Sequence, residues 1–273
     1  MVDPVAFHLG SLSIRWYGIC YAFGFLLGYG LLVQRAARYQ LTAERAADLA
    51  LIAMIGGVLG ARTWYVVQNW QDSFAGNPWE IIRIDHGGLV FYGGFLLAFA
   101  ALWWGCRRWR VPLGAVGDLF APALPAAHAL GRLGCFLNGC CFGKAWAGPC
   151  AVTYPAASDV HAIQLRMGWP GVTAAAPVSV FPIQLVEAAG NLLLAGLLLV
   201  VERRLPRRGL LFPIYLAGYA LLRFSCEFAR GDYPSRPGGL TSAQWLCLVL
   251  LPAAVVWAVC AWRRAGGIRD AGK

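Results

Sequence analysis

Residues 16–34 read WYGICYAFGFLLGYGLLVQ, nineteen consecutive positions without a charged side chain. A helix needs about 20 predominantly apolar residues to cross about 30 Å of hydrocarbon, so this run is long enough to span a bilayer. Working outward, five more runs share its apolar character: 48–69, 88–106 (GLVFYGGFLLAFAALWWGC), 181–202, 209–229 and 241–262. A seventh, 117–142, carries Pro122, Pro125, His128, Arg132 and Asn138, and is expected to face protein or a wet cavity if it lies at membrane depth. The runs are continuously apolar, which excludes the alternation of transmembrane strands. The expected fold is all-α: a polytopic membrane protein of about seven transmembrane helices.

Composition agrees. The 273 residues are 59% hydrophobic and 13% charged, against about 45–50% and about 25% in soluble domains. Soluble, disordered and fibrous classes are excluded. The net charge of +10 does not signal nucleic acid, because the basic residues sit at the ends of apolar runs, where they set orientation. One side collects Arg35, Arg38 and Arg45; Arg107, Arg108 and Arg110; Arg203, Arg204, Arg207 and Arg208; and Arg263, Arg264, Arg269 and Lys273. The other has Arg15, Arg83, Lys144, Arg166, Arg230 and Arg236. The richer side is cytoplasmic by the positive-inside rule, so the C-terminus is expected inside and the N-terminus extracytoplasmic.

Residues 1–15 lack the basic n-region of a signal peptide, and the first run is longer than such a core, so the first helix is expected to stay. Neither a myristoylation nor a prenylation pattern is present. With no internal repeat, residues 1–273 read as a single integral-membrane domain. Residues 143–180, rich in Ala, Gly and Pro, read as an extracytoplasmic insert forming a small cap.

Ionisable groups at membrane depth cost at least about 2.5–3.5 kcal/mol each, so each asks for a partner or a purpose. In GYALLRFSCEFARGD, Arg223, Glu227 and Arg230 fall at i, i+4 and i+7 on one helical stripe. Arg132 lies in GRLGCFLNGCCFG between glycines, and Glu187 follows Gln184 in FPIQLVEAAG. Ion pairing explains part of this: Arg223 with Glu227, and Arg132 with Glu187 or Glu227. Two intramembrane arginines also suit an anion, because the guanidinium fork binds phosphate bidentately and keeps its charge. In a bilayer the abundant phosphate is a phospholipid headgroup.

Gly56 and Gly60, and Gly87, Gly88, Gly93 and Gly94 around the third run, read as close helix packing. His8, His128 and His161 read as satisfied polar residues, while His86, six residues before Tyr92, is a candidate base. The nine cysteines include a cluster, Cys135, Cys140, Cys141 and Cys150, whose spacing does not match the paired Cys-x2-Cys of structural zinc. Packing is the expected role, with a disulfide to Cys150 as the alternative. A thiol-redox protein built on Cys135, Cys140 and Cys141 would want a proximal low-pKa pair, which adjacent Cys140 and Cys141 supply poorly. A transporter would also bury charge, but the chain halves do not repeat.

The segment GRLGCFLNGCCFG resembles the motif G-R-x-G-N-F-x-N-x-E-x-x-G of the prolipoprotein diacylglyceryl transferase family, with Gly131, Arg132, Gly134, Phe136, Asn138 and Gly143 matching. Other parts agree in order. Trp16, Tyr17 and Gly18 resemble its W-Y-G; GGLVFYGG at 87–94 its G-G-x-x-F-H-G-G; FPIQLVE at 181–187 its H-P-x-Q-L-Y-E; and Arg223 to Arg230 its R-F-x-x-E-F-x-R. Four positions depart: Tyr92 stands where many members have a His discussed as base, Cys135 replaces Asn, Cys140 replaces Glu and Phe181 replaces His.

The resemblance implies transfer of the diacylglyceryl group of phosphatidylglycerol to the lipobox cysteine of a prolipoprotein, releasing glycerol 1-phosphate. This occurs in the bacterial inner membrane without metal or organic cofactor. It implies Arg132 and Arg223 as phosphate holders and Tyr92 as base or orienting hydroxyl. Tyr17, Asn138, Gly143, Glu187, Glu227 and Arg230 would line the substrate site. A phenol as base would need a pKa far below its reference of about 10. A diverged relative acting on another lipid or acceptor is the nearest alternative.

Overall fold

The computed structural model describes residues 4–10, 12–83, 87–156, 158–205, 208–233 and 237–270. His86, Arg207, Arg236 and Lys273, weighed above, lie outside them. The described residues group into two compact units, residues 32–119 and residues 1–31 with 120–273.

In the smaller unit, α2 (Ala43–Gln68) is started by Thr42, whose hydroxyl accepts from Arg45 N–H at 3.2 Å. It packs on α3 (Phe91–Trp109) through small residues, as expected. A Cβ at Gly60 would strike Gly93 O, and one at Gly56 would lie 3.1 Å from Leu97 O. Gly87 and Gly88 have another role. Both adopt positive φ, +81° and +78°, in the turn before α3, and their carbonyls accept from Arg62. Arg62 is buried on α2 and also donates to the carbonyls of Glu80, Ile81 and Arg83. Its charge is thus spread over five backbone acceptors of one loop.

The larger unit begins with an antiparallel hairpin, β1 (Val5–Leu9) and β2 (Leu12–Arg15), where His8 Nδ1 and Ser13 Oγ are 3.0 Å apart. It leads directly into α1 (Trp16–Arg35). The run expected at 117–142 is two helices, α4 (Leu113–Phe120), nearly all of which falls in the smaller unit, and α5 (Ala123–Asn138) of the larger one. Pro122, which has no N–H to continue the ladder, stands at the break. α1 meets α5 through Gly24, Gly131 and Gly134; a Cβ at Gly24 would lie 2.9 Å from Ala127 O. α7 (Ile183–Arg204) and α8 (Leu211–Glu227) enclose Leu194, Leu198 and Leu211 with Ala121. α9 (Ser242–Asp270) is opened by a capping box: Gln244 N–H donates to Thr241 Oγ1 at 3.2 Å, and Thr241 N–H to Gln244 Oε1 at 2.9 Å.

All seven predicted runs are helical. Five segments are long and apolar enough to cross a membrane: Trp16–Tyr39, Ala43–Gln68, Leu113–Asn138, Ile183–Arg204 and Ser242–Arg263. α8, with 17 residues, stands at the lower limit of about 17 for a span. Tryptophans, glycines and Arg107 and Arg108 dilute the hydropathy of α3. The chain is a polytopic, all-α membrane protein.

The insert packs Tyr154, Val160 and Val180 around Phe142, which immediately precedes it, with Trp169 against them. Its short helix α6 (Asp159–Arg166) supplies Gln164, which is fully buried and bonds both N–H and C=O of Val178, at 3.1 and 2.8 Å. His161 is held by Thr173 O at 2.8 Å, the satisfied polar role expected for it.

Candidate active site

Three helices of the larger unit bring the buried charges together. From α7, Glu187 extends one carboxylate oxygen to each of two arginines. Oε1 accepts from Arg223 Nη1 on α8 at 2.7 Å, and Oε2 pairs ionically with Arg132 Nε on α5. The Arg132 Nε–H itself points at His128 Nε2, one turn earlier, at 3.1 Å. Since guanidinium can only donate, His128 must accept there, which places its ring proton on Nδ1. Arg223 Nη2 pairs with Glu227 four residues on, and Arg230 Nε lies 3.8 Å from the same carboxylate. Asp232 then binds Arg230 through both oxygens, at 3.0 and 2.6 Å.

The result is an alternating row of Arg132, Glu187, Arg223, Glu227, Arg230 and Asp232. Both expected ion pairs are present, and the row carries no net charge. Asp232, beyond the membrane run, pairs with Arg230 and completes the balance. The capacity for an anion lies at one end. Arg132 meets Glu187 and His128 through Nε, and neither of its terminal nitrogens donates a hydrogen bond to a described residue. Glu187 therefore fixes the fork by its root and leaves the prongs open. Burial opposes the charge on Arg230, but its Asp232 hydrogen bonds more than offset that and raise its hold on the proton.

Tyr17 and Tyr21 pack against each other on the first turns of α1, ring centroids 4.5 Å apart and planes tilted by 42°. Tyr21 is close enough to Arg132 to interact electrostatically, a neighbour the sequence did not single out. Asn138 ends α5 without a partner among the described residues. Gly143 has a packing reason for being glycine. A Cβ there would strike Phe181 O on one side and come within 3.1 Å of Ala229 O on the other. Tyr92 belongs to the other unit, at the start of α3, where it is 52% exposed.

The turn after α5 reverses sharply. Gly139, at φ +72°, caps the helix and Cys140 N–H returns to Cys135 O at 3.1 Å. Cys141 is also left-handed, at φ +58°, a conformation that costs a non-glycine residue roughly 1–2 kcal/mol. The Sγ atoms of Cys135, Cys140 and Cys141 consequently lie within 4.8 Å of one another. Linear spacing conceals this, because two left-handed residues fold the chain back on the helix end. Gln184, fully buried on α7, pins the turn by donating to Cys140 O at 2.8 Å and to Tyr154 OH at 3.2 Å. Tyr154 OH donates in turn to Phe136 O, and burial pushes this phenol up to about 12 although the Gln184 bond works against it. Among the described residues, which include all nine cysteines, none forms a disulfide, Cys150 included.

The sequence matches the family model of prolipoprotein diacylglyceryl transferase over residues 4–260. Relatives named phosphatidylglycerol--prolipoprotein diacylglyceryl transferase include that of Aromatoleum aromaticum, 37% identical with 93% of each chain covered. That of Cupriavidus necator is 34% identical, covering 97% of this chain and 94% of the relative. That of Burkholderia thailandensis is 34% identical with 98% of each chain covered. On this full-length similarity, the chain belongs to the prolipoprotein diacylglyceryl transferase family.

Proposed function

We infer that the protein transfers the diacylglyceryl group of phosphatidylglycerol to the thiol of a lipobox cysteine in a prolipoprotein, in the bacterial inner membrane with its N-terminus extracytoplasmic. The observation that carries the reading is the open fork of Arg132, held from behind by the same carboxylate that holds Arg223.

In this reading the lipid phosphate takes the two terminal nitrogens of Arg132 as a bidentate partner. Charge accumulates on that phosphate as the glyceryl C–O bond breaks, and a preorganised guanidinium stabilises it where it develops. Arg223 works beside it, locked between Glu187 and Glu227. Arg230 and Asp232 end the row, Arg230 between the Glu227 and Asp232 carboxylates. Tyr17 and Asn138 are offered as hydrogen-bonding partners of the headgroup glycerol, Gly143 as the close-packed floor of the turn, and Tyr92 as an orienting hydroxyl. The attacking group is the acceptor thiolate.

The test is expression in a bacterium depleted of its own diacylglyceryl transferase, scoring growth and lipoprotein modification by mass. Restored modification supports the reading. A membrane-inserted protein that restores neither refutes it.

A further inference from the structure

We propose that Cys135, Cys140 and Cys141 are a three-thiolate site for zinc, whose fourth position receives the acceptor cysteine as its thiolate.

Three sulfurs within 4.8 Å of one another are close to what one ion requires. At a Zn–S distance of about 2.3 Å in tetrahedral geometry, ligand sulfurs stand about 3.8 Å apart, within reach of small side-chain rotations. Sulfur ligands alone select a thiophilic ion and exclude magnesium and calcium, which take oxygen. Three protein ligands leave zinc one open position, the arrangement of reactive rather than structural sites. The turn is built for this convergence and not for packing alone. Cys141 is held in a left-handed conformation, and Gln184 fixes the Cys140 carbonyl from a neighbouring helix. Zinc with three thiolates carries one negative charge.

The inference rests on the acceptor-thiol reading above and supplies the step that it leaves open. Coordination strips a thiol of its proton outright, so no side-chain base is needed where this chain has Tyr92. The acceptor cysteine binds the fourth position and its proton passes to water. Its sulfur electron pair then forms the S–C bond to the glyceryl carbon. The C–O bond to phosphate breaks, and that pair leaves on glycerol 1-phosphate beside Arg132. The thioether product has no thiolate charge and leaves the metal; zinc neither gains nor loses electrons. Two of the three ligands, Cys135 and Cys140, stand where the family motif has Asn and Glu, so the site is a property of this chain.

The experiment uses the full chain in detergent, purified under reducing conditions, with zinc measured per chain and cobalt(II) added to the zinc-free protein as a spectroscopic probe. We expect one tightly held zinc, and a cobalt spectrum with thiolate charge-transfer bands and the visible bands of a tetrahedral site. A lipobox cysteine peptide should shift that spectrum and a serine-for-cysteine peptide should not. The Cys135→Ala, Cys140→Ala, Cys141→Ala variant should lose the ion, and Cys260→Ser should retain it. Zinc bound equally by the triple variant, a disulfide among the three cysteines in place of metal, or a cobalt spectrum indifferent to the peptide would each overturn the proposal. Transfer at the wild-type rate by the triple variant would overturn the metal's role while leaving the proposed activity standing. Metal and peptide binding without transfer by any form would instead refute the activity and leave the site.

Discussion

Glu187 divides its carboxylate between Arg132 and Arg223, one oxygen each, and so ties α5, α7 and α8 at a single buried point. Glu187→Gln should preserve volume but leave two guanidinium groups without their shared counter-ion. Removing one partner of a buried pair costs about 3–5 kcal/mol, to be read as a lowered melting temperature in detergent. In the fraction that stays folded, the freed fork should still attract phosphate but point it less well. We expect kcat to fall by about tenfold or more with KM for the lipid nearly unchanged. A fall confined to KM would show that Glu187 only contributes to lipid binding.

Arg132→Gln should abolish a charge-assisted bidentate contact. A hydrogen bond to a charged group is worth about 1.5–3 kcal/mol, or about 10- to 150-fold in rate. Arg132→Lys should be nearly as poor, since it keeps the charge without the fork. Wild-type transfer by both variants, measured with radiolabelled lipid in membranes, would remove Arg132 from the site.

Tyr92→Phe tests whether the phenol orients or deprotonates. An orienting hydroxyl contributes about one hydrogen bond, about 1 kcal/mol, so transfer should fall by about fivefold and its pH profile should keep its shape. Loss of all transfer, with the alkaline limb of the profile displaced, would make Tyr92 the base and leave no need for metal-assisted deprotonation.

Arg62 serves the fold of the smaller unit. Five loop carbonyls between Glu80 and Gly88 accept from one guanidinium. Lys offers three donors on a point charge, so Arg62→Lys should strand at least two acceptors, at about 1–3 kcal/mol each. The predicted readout is faster proteolysis between Glu80 and Val90, with the insert at 143–180 cut at its usual rate.

Tyr154 makes the insert alkali-sensitive. Its phenol is raised to about 12 by burial, above an unfolded reference of about 10. The folded form therefore holds the proton more tightly. The stability this gives is fully present below about pH 10 and lost as pH rises towards 12. Protease resistance of the insert should decline across that window in the wild type, and Tyr154→Phe should weaken the insert at neutral pH while removing that dependence.

The membrane class was legible at once, because a 20-residue apolar run has few other uses and each of the seven runs is helical. The pairing of Arg223 with Glu227 was legible for a similar reason, since helical spacing alone puts i and i+4 side by side. Other relationships required the tertiary structure. Pro122 interrupts a run that hydropathy alone joins. The fork of Arg132 is open because Glu187, 55 positions away, meets its root and not its tip. The charge balance depends on Asp232, which no membrane run contains. The three thiols meet because Gly139 and Cys141 take left-handed conformations under Gln184 from another helix. Periodicity reports which residues share a face of one helix. Which prong of an arginine is free, and which sulfurs converge, depends on backbone reversals and on contacts between helices distant in sequence, and only the folded chain fixes those.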